Sequence, residues 1–213
     1  MRYMLISHCG IQNLLVQGVV VGARPEAVNA ASLDIHLGRY LLEEIPCNSI
    51  EGIPPYRVIS LSQRDPLTMR KADLEKNGPY RVISLSQRDP LTMRKVDLEK
   101  NGPYLLKPGH FILAQSEEMF NLPDNVSAEY KLKSSMARIA IDHANAGWCD
   151  AGWHGSVLTL ELVNNSRHHA IVLTQGDGIG QMIFFQHEPV PAHASYATKG
   201  RYNGDKSTQG IRE

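Results

Sequence analysis

The sequence predicts a mainly β domain, jelly-roll-like or barrel-like in form, with a few short helices. Short segments that alternate apolar and polar residues recur along the chain, and glycine- and proline-containing turns separate them. Few segments show the i, i+3, i+4 spacing of an amphipathic helix. A length of 213 residues allows one hydrophobic core, so we expect a single domain over residues 1–213.

Two segments have helical spacing. Residues 7–17 carry apolar side chains on one face between Ser7, a candidate N-cap, and Gly18, a candidate stop. Residues 134–144 repeat this spacing from Met136 onward. The other patterned segments are predicted strands. The first covers residues 32–37 and should end at Gly38, and two more flank a Lys-Pro-Gly turn within residues 104–114. Three further strands are predicted at residues 157–163, 170–173 and 180–185.

Residues 55–78 and 79–102 are copies of one segment that differ only at Ala72 and Val96. Repeat architectures usually need about three or more copies to build a core, so we interpret the pair as a tandem duplication. One copy should lie where the fold needs it, and the other should leave the fold as a long surface excursion. The entropic cost of closing a loop grows slowly with its length, so a surface position tolerates such an insertion. The Gly-, Lys- and Ser-rich residues 197–213 should form a mobile tail.

Composition excludes several classes of protein. The 22 basic and 22 acidic residues cancel, which argues against a nucleic-acid-binding scaffold, because neutralising phosphates requires excess Lys and Arg. Three distant cysteines, Cys9, Cys47 and Cys149, fit neither a disulfide framework nor a Cys-only zinc cage. We therefore expect a reducing, cytoplasmic location. The apolar N-terminus is interrupted by polar residues, so no membrane span is expected.

Three segments could carry chemistry. Lys133, Ser134, Ser135 and Arg138 open the second predicted helix, where free N–H groups and cations suit a phosphate; the alternative is a plain N-cap beside solvated lysines. The Gly- and Trp-rich residues 145–155 could bring backbone against a ligand, with Asp150 accepting from a sugar hydroxyl, or could be a packed turn. Glu161, among apolar strand neighbours, could be a desolvated general base or an outer solvated side chain.

Zinc nucleobase deaminases carry His-x-Glu and Pro-Cys-x-x-Cys motifs. The sequence contains neither motif, and it contains no Walker loop and no Gly-x-Gly-x-x-Gly. His168, His169 and His193 lack ligand-spaced partners and are interpreted as surface residues. Cys149 could be read as a nucleophile, but no base is visibly paired with it.

Taken in order, these segments resemble the dCTP deaminase family of the dUTPase-like fold. The resemblance implies a distorted jelly-roll subunit and a homotrimer whose active sites lie at subunit interfaces. It implies that dCTP and water give dUTP and ammonia without zinc, that Mg²⁺ accompanies the triphosphate, and that dTTP is an inhibitor. The resemblance rests on residues 31–38, 106–114, 133–138, 146–153, 158–162, 178–184 and 196–202.

The resemblance also assigns roles to residues. Glu161 matches the general base, Ser134 helps hold the attacking water, and the carbonyl of Ala146 orients that water. Lys133 stands where the family usually has Arg, so a bidentate phosphate contact becomes a point charge. Asp205 stands where Gln is common, and we expect Lys206 to offset its charge. The residues assigned to substrate binding are Lys133, Ser135, Arg138, Trp148, Asp150, Gln181, Tyr196, Lys199 and Lys206.

The sequence leaves alternatives open. Residues 146–152 resemble a bifunctional branch that also converts the triphosphate into dUMP and diphosphate. A plain dUTPase ranks third, because the hairpin expected of that family differs here. A catalytically silent relative that binds nucleotides is the alternative from another class of protein. Trimer or hexamer, and dCTP, dCMP or a modified cytosine nucleotide, are not distinguished by the sequence.

Overall fold

The computed structural model describes residues 4–45 and 91–212, and between them the backbone of two short strands. The helices are α1 (His8–Val16), α2 (Leu98–Asn101), α3 (Ser134–Arg138) and α4 (Tyr196–Lys199), with one 3₁₀ turn at Pro25–Ala27. The strands are β1 (Met4–Leu5), β2 (Val20–Val21), β3 (Leu33–Glu44), β4 (Ile59–Ser60), β5 (Ile83–Ser84), β6 (Met93–Asp97), β7 (Tyr104–Leu106), β8 (Phe111–Asn121), β9 (Val126–Leu132), β10 (Ile141–His143), β11 (Trp148–Cys149), β12 (His154–Asn164), β13 (Ile171–Leu173) and β14 (Gly178–Gln186).

One antiparallel sheet of ten strands dominates the described residues. Its central path runs β10-β12-β8-β3-β14-β9-β11, while β1, β2 and β6 pair at the side of this path. Two small pairs, β13-β7 and β4-β5, lie outside it. The prediction of a mainly β fold with a few short helices is confirmed, and the sheet curls into a half-barrel.

The core lies on one face of the curled sheet. Alternate residues of β3, namely Leu33, Ile35 and Leu37, have no solvent exposure, and Leu160 and Leu162 of β12 are equally buried. Side chains alternate between the two faces of a strand, so the intervening residues of β12 point away from this core. Glu161 is one of these intervening residues, as the alternation in the sequence predicted.

Two predicted boundaries are wrong for physical reasons. Strand β3 continues through Gly38 to Glu44, because the glycine lets the backbone of Ser116 approach: a Cβ at Gly38 would lie 2.6 Å from the Ser116 carbonyl oxygen. The helix predicted over 134–144 ends at Arg138. Ala140 then takes a left-handed φ of 66°, and the chain leaves as β10, which pairs with β12.

The second copy of the duplicated segment supplies β6 and α2. Strand β6 pairs with β3, with Val96 opposite Leu41, and Arg39 donates two hydrogen bonds of 2.8 and 2.7 Å to Asp97. The described residues 91–102 of this copy therefore lie within the fold. Within the first copy the structure describes only β4, which pairs in parallel with the equivalent residues of the second copy. The predicted excursion lies outside the described residues.

The C-terminal residues fold back onto β8 and β12. The indole nitrogen of Trp153 donates to the carbonyl of Tyr202 at 2.9 Å, and the backbone of Val157 donates to Asp205 at 2.8 Å. Thr208 is 4% exposed and bonds through its backbone to Gln115. The tail thus has a defined docking place, while its mobility stays a prediction. No helix among the described residues is long and apolar enough to cross a membrane.

Candidate active site

A cavity of about 380 Å³ lies between β12, the turn before it and the docked tail. Five residues that the sequence analysis assigned to the site line this cavity: Ala146, Trp148, Asp150, Glu161 and Tyr196. They come from three separate parts of the chain, which the β11–β9 pairing and the docked tail bring together. The apolar wall includes Leu113, which stands opposite Glu161 on the neighbouring strand β8. The site can therefore hold a small molecule beside one carboxylate.

Glu161 has an unusual environment for a carboxylate. About a quarter of its side chain is exposed, but its Oε2 atom is fully buried and makes no hydrogen bond with any described residue. A buried carboxylate oxygen normally has a partner, because leaving it unpaired costs free energy. An unpaired oxygen on a cavity wall is suited to accept a proton from a water or a ligand that enters.

His143 lies beside this carboxylate, and sequence analysis did not assign it to the site. Its Nε2 atom is 3.1 Å from Glu161 Oε2, but the geometry does not satisfy a hydrogen bond, and both atoms are buried without another partner among the described residues. The distance shows contact, and the poor alignment shows that the contact is not a formed hydrogen bond. No local sequence signal marks His143, because its place beside Glu161 depends on the pairing of β10 with β12.

Two further groups respond to the charge of Glu161. Burial and this carboxylate hold the pKa of Tyr130 well above its usual value, and the Tyr130 ring packs 4.7 Å from the His143 ring, measured between centroids. Burial, with the charges of Asp150 and Glu161, raises the pKa of Cys149 to about 12. A thiol with that pKa stays protonated at neutral pH, so the nucleophile interpretation of Cys149 is not supported.

The turn before β12 fixes one polar group at the cavity. The indole nitrogen of Trp148 donates to Asp150 Oδ1 at 2.8 Å, and the Trp148 ring, 57% exposed, leans on Phe185. Asp150 therefore has an anchored carboxylate, and its second oxygen can accept from a ligand hydroxyl. This geometry agrees with the sugar-binding interpretation of Asp150, which stays a prediction.

The tail supplies the remaining wall of the cavity. Asp205 lines it and forms an ion pair with Arg212. Lys206, which we expected to offset the charge of Asp205, instead donates to the carbonyl of Gly155 at 2.9 Å. That expectation is wrong: Arg212 takes the role, because the tail turns back and places its guanidinium beside Asp205.

Several predicted site residues do not line the cavity of their own chain. Lys133 donates to Asp34 at 2.5 Å, and Gln181 contacts the same carboxylate at 3.3 Å. The helix α3 has only five residues, too short to offer the helix N-terminus that the sequence predicted for a phosphate. The assigned residues absent from the cavity wall are Lys133, Ser134, Ser135, Arg138, Gln181, Lys199 and Lys206. Of these, Ser134, Ser135, Arg138, Lys199 and Lys206 are solvent-exposed.

Comparison with known families identifies the class of protein. Residues 55–187 match the model of the dCTP deaminase-like family, and the chain belongs to that family. Among structures, it matches a 2′-deoxycytidine 5′-triphosphate deaminase from Agrobacterium tumefaciens with a TM-score of 0.57 and 20% identity, covering 87% of this chain and 49% of the other. This match supports the fold that the sequence resemblance implied.

Similar curated proteins carry the name of one particular activity within this family. A protein of Methanosphaerula palustris named "dCTP deaminase, dUMP-forming" is 38% identical over 103 residues, which are 48% of this chain and 54% of the relative. A protein of Persephonella marina with the same name is 38% identical over 109 residues, 51% and 57% of the two chains. The chain thus spans about half the length of the curated relatives that it matches.

No group of three or more His, Cys, Asp and Glu side chains among the described residues is arranged to hold a metal ion. Lys133 and the exposed cation Arg138 are the groups closest in chemistry to a phosphate ligand in this part of the chain.

Proposed function

We propose that this chain deaminates dCTP hydrolytically, with Glu161 as the general base. The observation that carries the proposal is the buried, unpaired Oε2 atom of Glu161 on the wall of a cavity of about 380 Å³. Family membership supports the substrate class, and the names of the curated relatives support dCTP itself.

The reaction needs a deprotonated water at C4 of cytosine. Glu161 accepts a proton from the water while the carbonyl of Ala146, at the same cavity wall, accepts the second hydrogen bond of that water. The oxygen adds to C4, and Glu161 passes the proton to the amino group, which leaves as ammonia when the C4–N bond breaks. The remaining hydroxyl proton moves to N3, which leaves the C4 carbonyl of uracil. The products are dUTP and ammonia, and neither zinc nor a redox cofactor enters the balance.

We further propose that two chains complete each site. Ser134, Ser135 and Arg138 are exposed on α3, away from the cavity wall of their own chain, and exposed cations and hydroxyls can serve the triphosphate bound to a neighbouring copy. A homotrimer with interfacial sites satisfies this requirement. The substrate would be the magnesium complex of dCTP, and dTTP, which has an oxygen at C4, would compete for the same cavity.

The names of the relatives favour a second product. The relatives from Methanosphaerula palustris and Persephonella marina are both named "dCTP deaminase, dUMP-forming". We therefore propose the bifunctional reaction as the second candidate: dCTP and two waters give dUMP, diphosphate and ammonia. Sequence reasoning placed dUTP release first, and the relatives argue for the reverse order.

One assay separates these functions. The purified chain is incubated with dCTP and Mg²⁺, and the nucleotides are resolved by anion-exchange chromatography while ammonia is measured. Accumulated dUTP supports deamination alone, and dUMP with diphosphate supports the bifunctional reaction. Binding of dCTP without ammonia release would refute catalysis and leave a silent nucleotide-binding protein.

A further inference from the structure

Outside the cavity, a cluster around Asp124 and Ser195 joins three segments: the loop before β9, the start of α4 at Tyr196, and the turn before β12. Ser195, which precedes α4, is 2% exposed. Its hydroxyl donates to Asp124 Oδ1 at 2.6 Å and accepts from the backbone of Ala197 at 3.3 Å, which caps the helix. The cluster thus ties the start of α4 to the loop that precedes β9.

The same cluster is tied to the turn before β12. The backbone of Tyr196 donates to the carbonyl of Ala151 at 3.0 Å. Gly152 has a φ of 88°, and a Cβ there would overlap the Ser195 hydroxyl and lie 3.1 Å from Asp124 Oδ1. The turn and α4 therefore pack backbone against backbone, which only a glycine at this position permits.

Asp124 is itself held in place. Its carbonyl accepts from the backbone of Val190 at 2.9 Å, and Leu122, two residues earlier, donates to the carbonyl of Trp153 at 2.8 Å. The carboxylate of Asp124 is not part of the cavity wall, whereas Tyr196 is. The route from this carboxylate to Tyr196 runs through the Ser195 hydroxyl and the first turn of α4.

We propose that Asp124 is a positioning residue that acts through the Ser195 hydroxyl to hold Tyr196 on the wall of the nucleotide cavity. The inference deepens the proposed function and rests on it, because it assigns Tyr196 to nucleotide binding. A short hydrogen bond to a carboxylate is stronger than one between neutral groups. Its loss should therefore weaken nucleotide binding and leave proton transfer by Glu161 intact.

The kinetic test compares three variants. Asp124→Ala should raise KM for dCTP about tenfold, the cost of a hydrogen bond to a charged group, and leave kcat within about twofold, because only binding is affected. Asp124→Asn should restore KM, since the amide oxygen still accepts from Ser195. Asp177→Ala is the matched control: Asp177 also accepts a hydrogen bond in a loop, from the backbone of Thr174, and its removal should leave KM unchanged.

A double mutant tests whether Asp124 acts through Tyr196. If it does, Asp124→Ala should add little to the KM of Tyr196→Ala, because the group that it positions is already gone. Additive effects of the two substitutions would overturn the proposal. So would a fall in kcat with unchanged KM, or a failure of Asp124→Asn to rescue Asp124→Ala.

Trypsin cleavage after Lys199 gives a readout that needs no substrate. Loss of the carboxylate that holds the Ser195 hydroxyl should loosen α4 and accelerate this cleavage in Asp124→Ala but not in Asp124→Asn or Asp177→Ala. A chain that neither binds nor turns over dCTP would refute the proposed function, and cleavage would still report the hold on α4. Unchanged cleavage in Asp124→Ala would refute the positioning role whatever the substrate is.

Discussion

Replacing Glu161 by glutamine should lower activity and raise stability at the same time. In the native chain, Glu161 Oε2 and His143 Nε2 lie 3.1 Å apart, and both are buried without a formed hydrogen bond. A glutamine amide of the same shape offers an N–H where the carboxylate offers only acceptors. It also carries no charge, so burying it without a well-aligned partner costs less free energy than burying the carboxylate.

The size of each effect follows from this geometry. Replacing an unpaired buried carboxylate by a neutral amide contributes about 1 kcal/mol, which raises Tm by about 2–4 °C for a chain of this size. Removing a general base lowers kcat by about 10²- to 10⁴-fold. KM should change little, because the substrate contacts persist.

Ammonia release measures the first effect and differential scanning calorimetry measures the second. Glu117→Gln is the matched control: Glu117 is also a strand glutamate, paired with Arg24 on the surface, and its replacement should leave kcat unchanged and Tm equal or slightly lower. Retained turnover in Glu161→Gln would refute its role as the base. A fall in Tm would refute the unpaired-carboxylate argument, even if activity were lost.

Three further outcomes follow from the structure. Gly152→Ala should lower Tm by several degrees in a thermal scan. The added methyl group would sit on a left-handed backbone, in space that the Ser195 hydroxyl already fills. An unchanged Tm would contradict the close packing. Deleting residues 79–102 keeps the copy with Ala72, whereas deleting residues 55–78 keeps the copy with the half-buried Val96. Both chains should fold, and the first should be about 1 kcal/mol less stable in urea, because it buries less apolar surface. An unfolded product would show that the two copies are not interchangeable. Burial raises the pKa of Glu118, so the folded state holds its proton more tightly and stability falls as pH rises above about 4.5 through that raised pKa. Glu118→Gln should flatten this part of the Tm–pH profile, and an unchanged slope would assign the dependence to other groups.

The alternation of apolar and polar residues predicts most of the sheet, because one face of each strand is buried. It correctly places Glu161 between Leu160 and Leu162, which are fully buried, and so directs its carboxylate away from the core. Sequence patterns fail to predict the structure where the same local spacing fits both a helix and a strand. The spacing from Met136 to His143 suits a helix, but the free edge of β12 recruits the same residues as β10. That edge lies 20 residues further along the chain, beyond the reach of local spacing.

The candidate site was only partly predictable for a related reason. Sequence motifs identify the segments that carry chemistry, but not which chain brings them together. Ser134 and Arg138, which the resemblance assigns to the site, are exposed and do not line the cavity that holds Glu161. His143 was missed because its role depends on the β10–β12 pairing, which places it one register step from Glu161.

The proposed site has two tasks, proton transfer and nucleotide binding, and different kinds of contact hold the residues that serve each task. Glu161 and His143 belong to paired strands of the central sheet, so their positions are set by ladder hydrogen bonds and a buried core. The wall facing them is held by hydrogen bonds with the tail. Backbone carbonyls accept two of these bonds, from Trp153 and Val157, and the side chains of Asn203, Lys206 and Thr208 make others. Substitution of these three side chains should therefore loosen the tail and weaken nucleotide binding. Proton transfer, by contrast, should depend on strand residues that no change in the tail displaces.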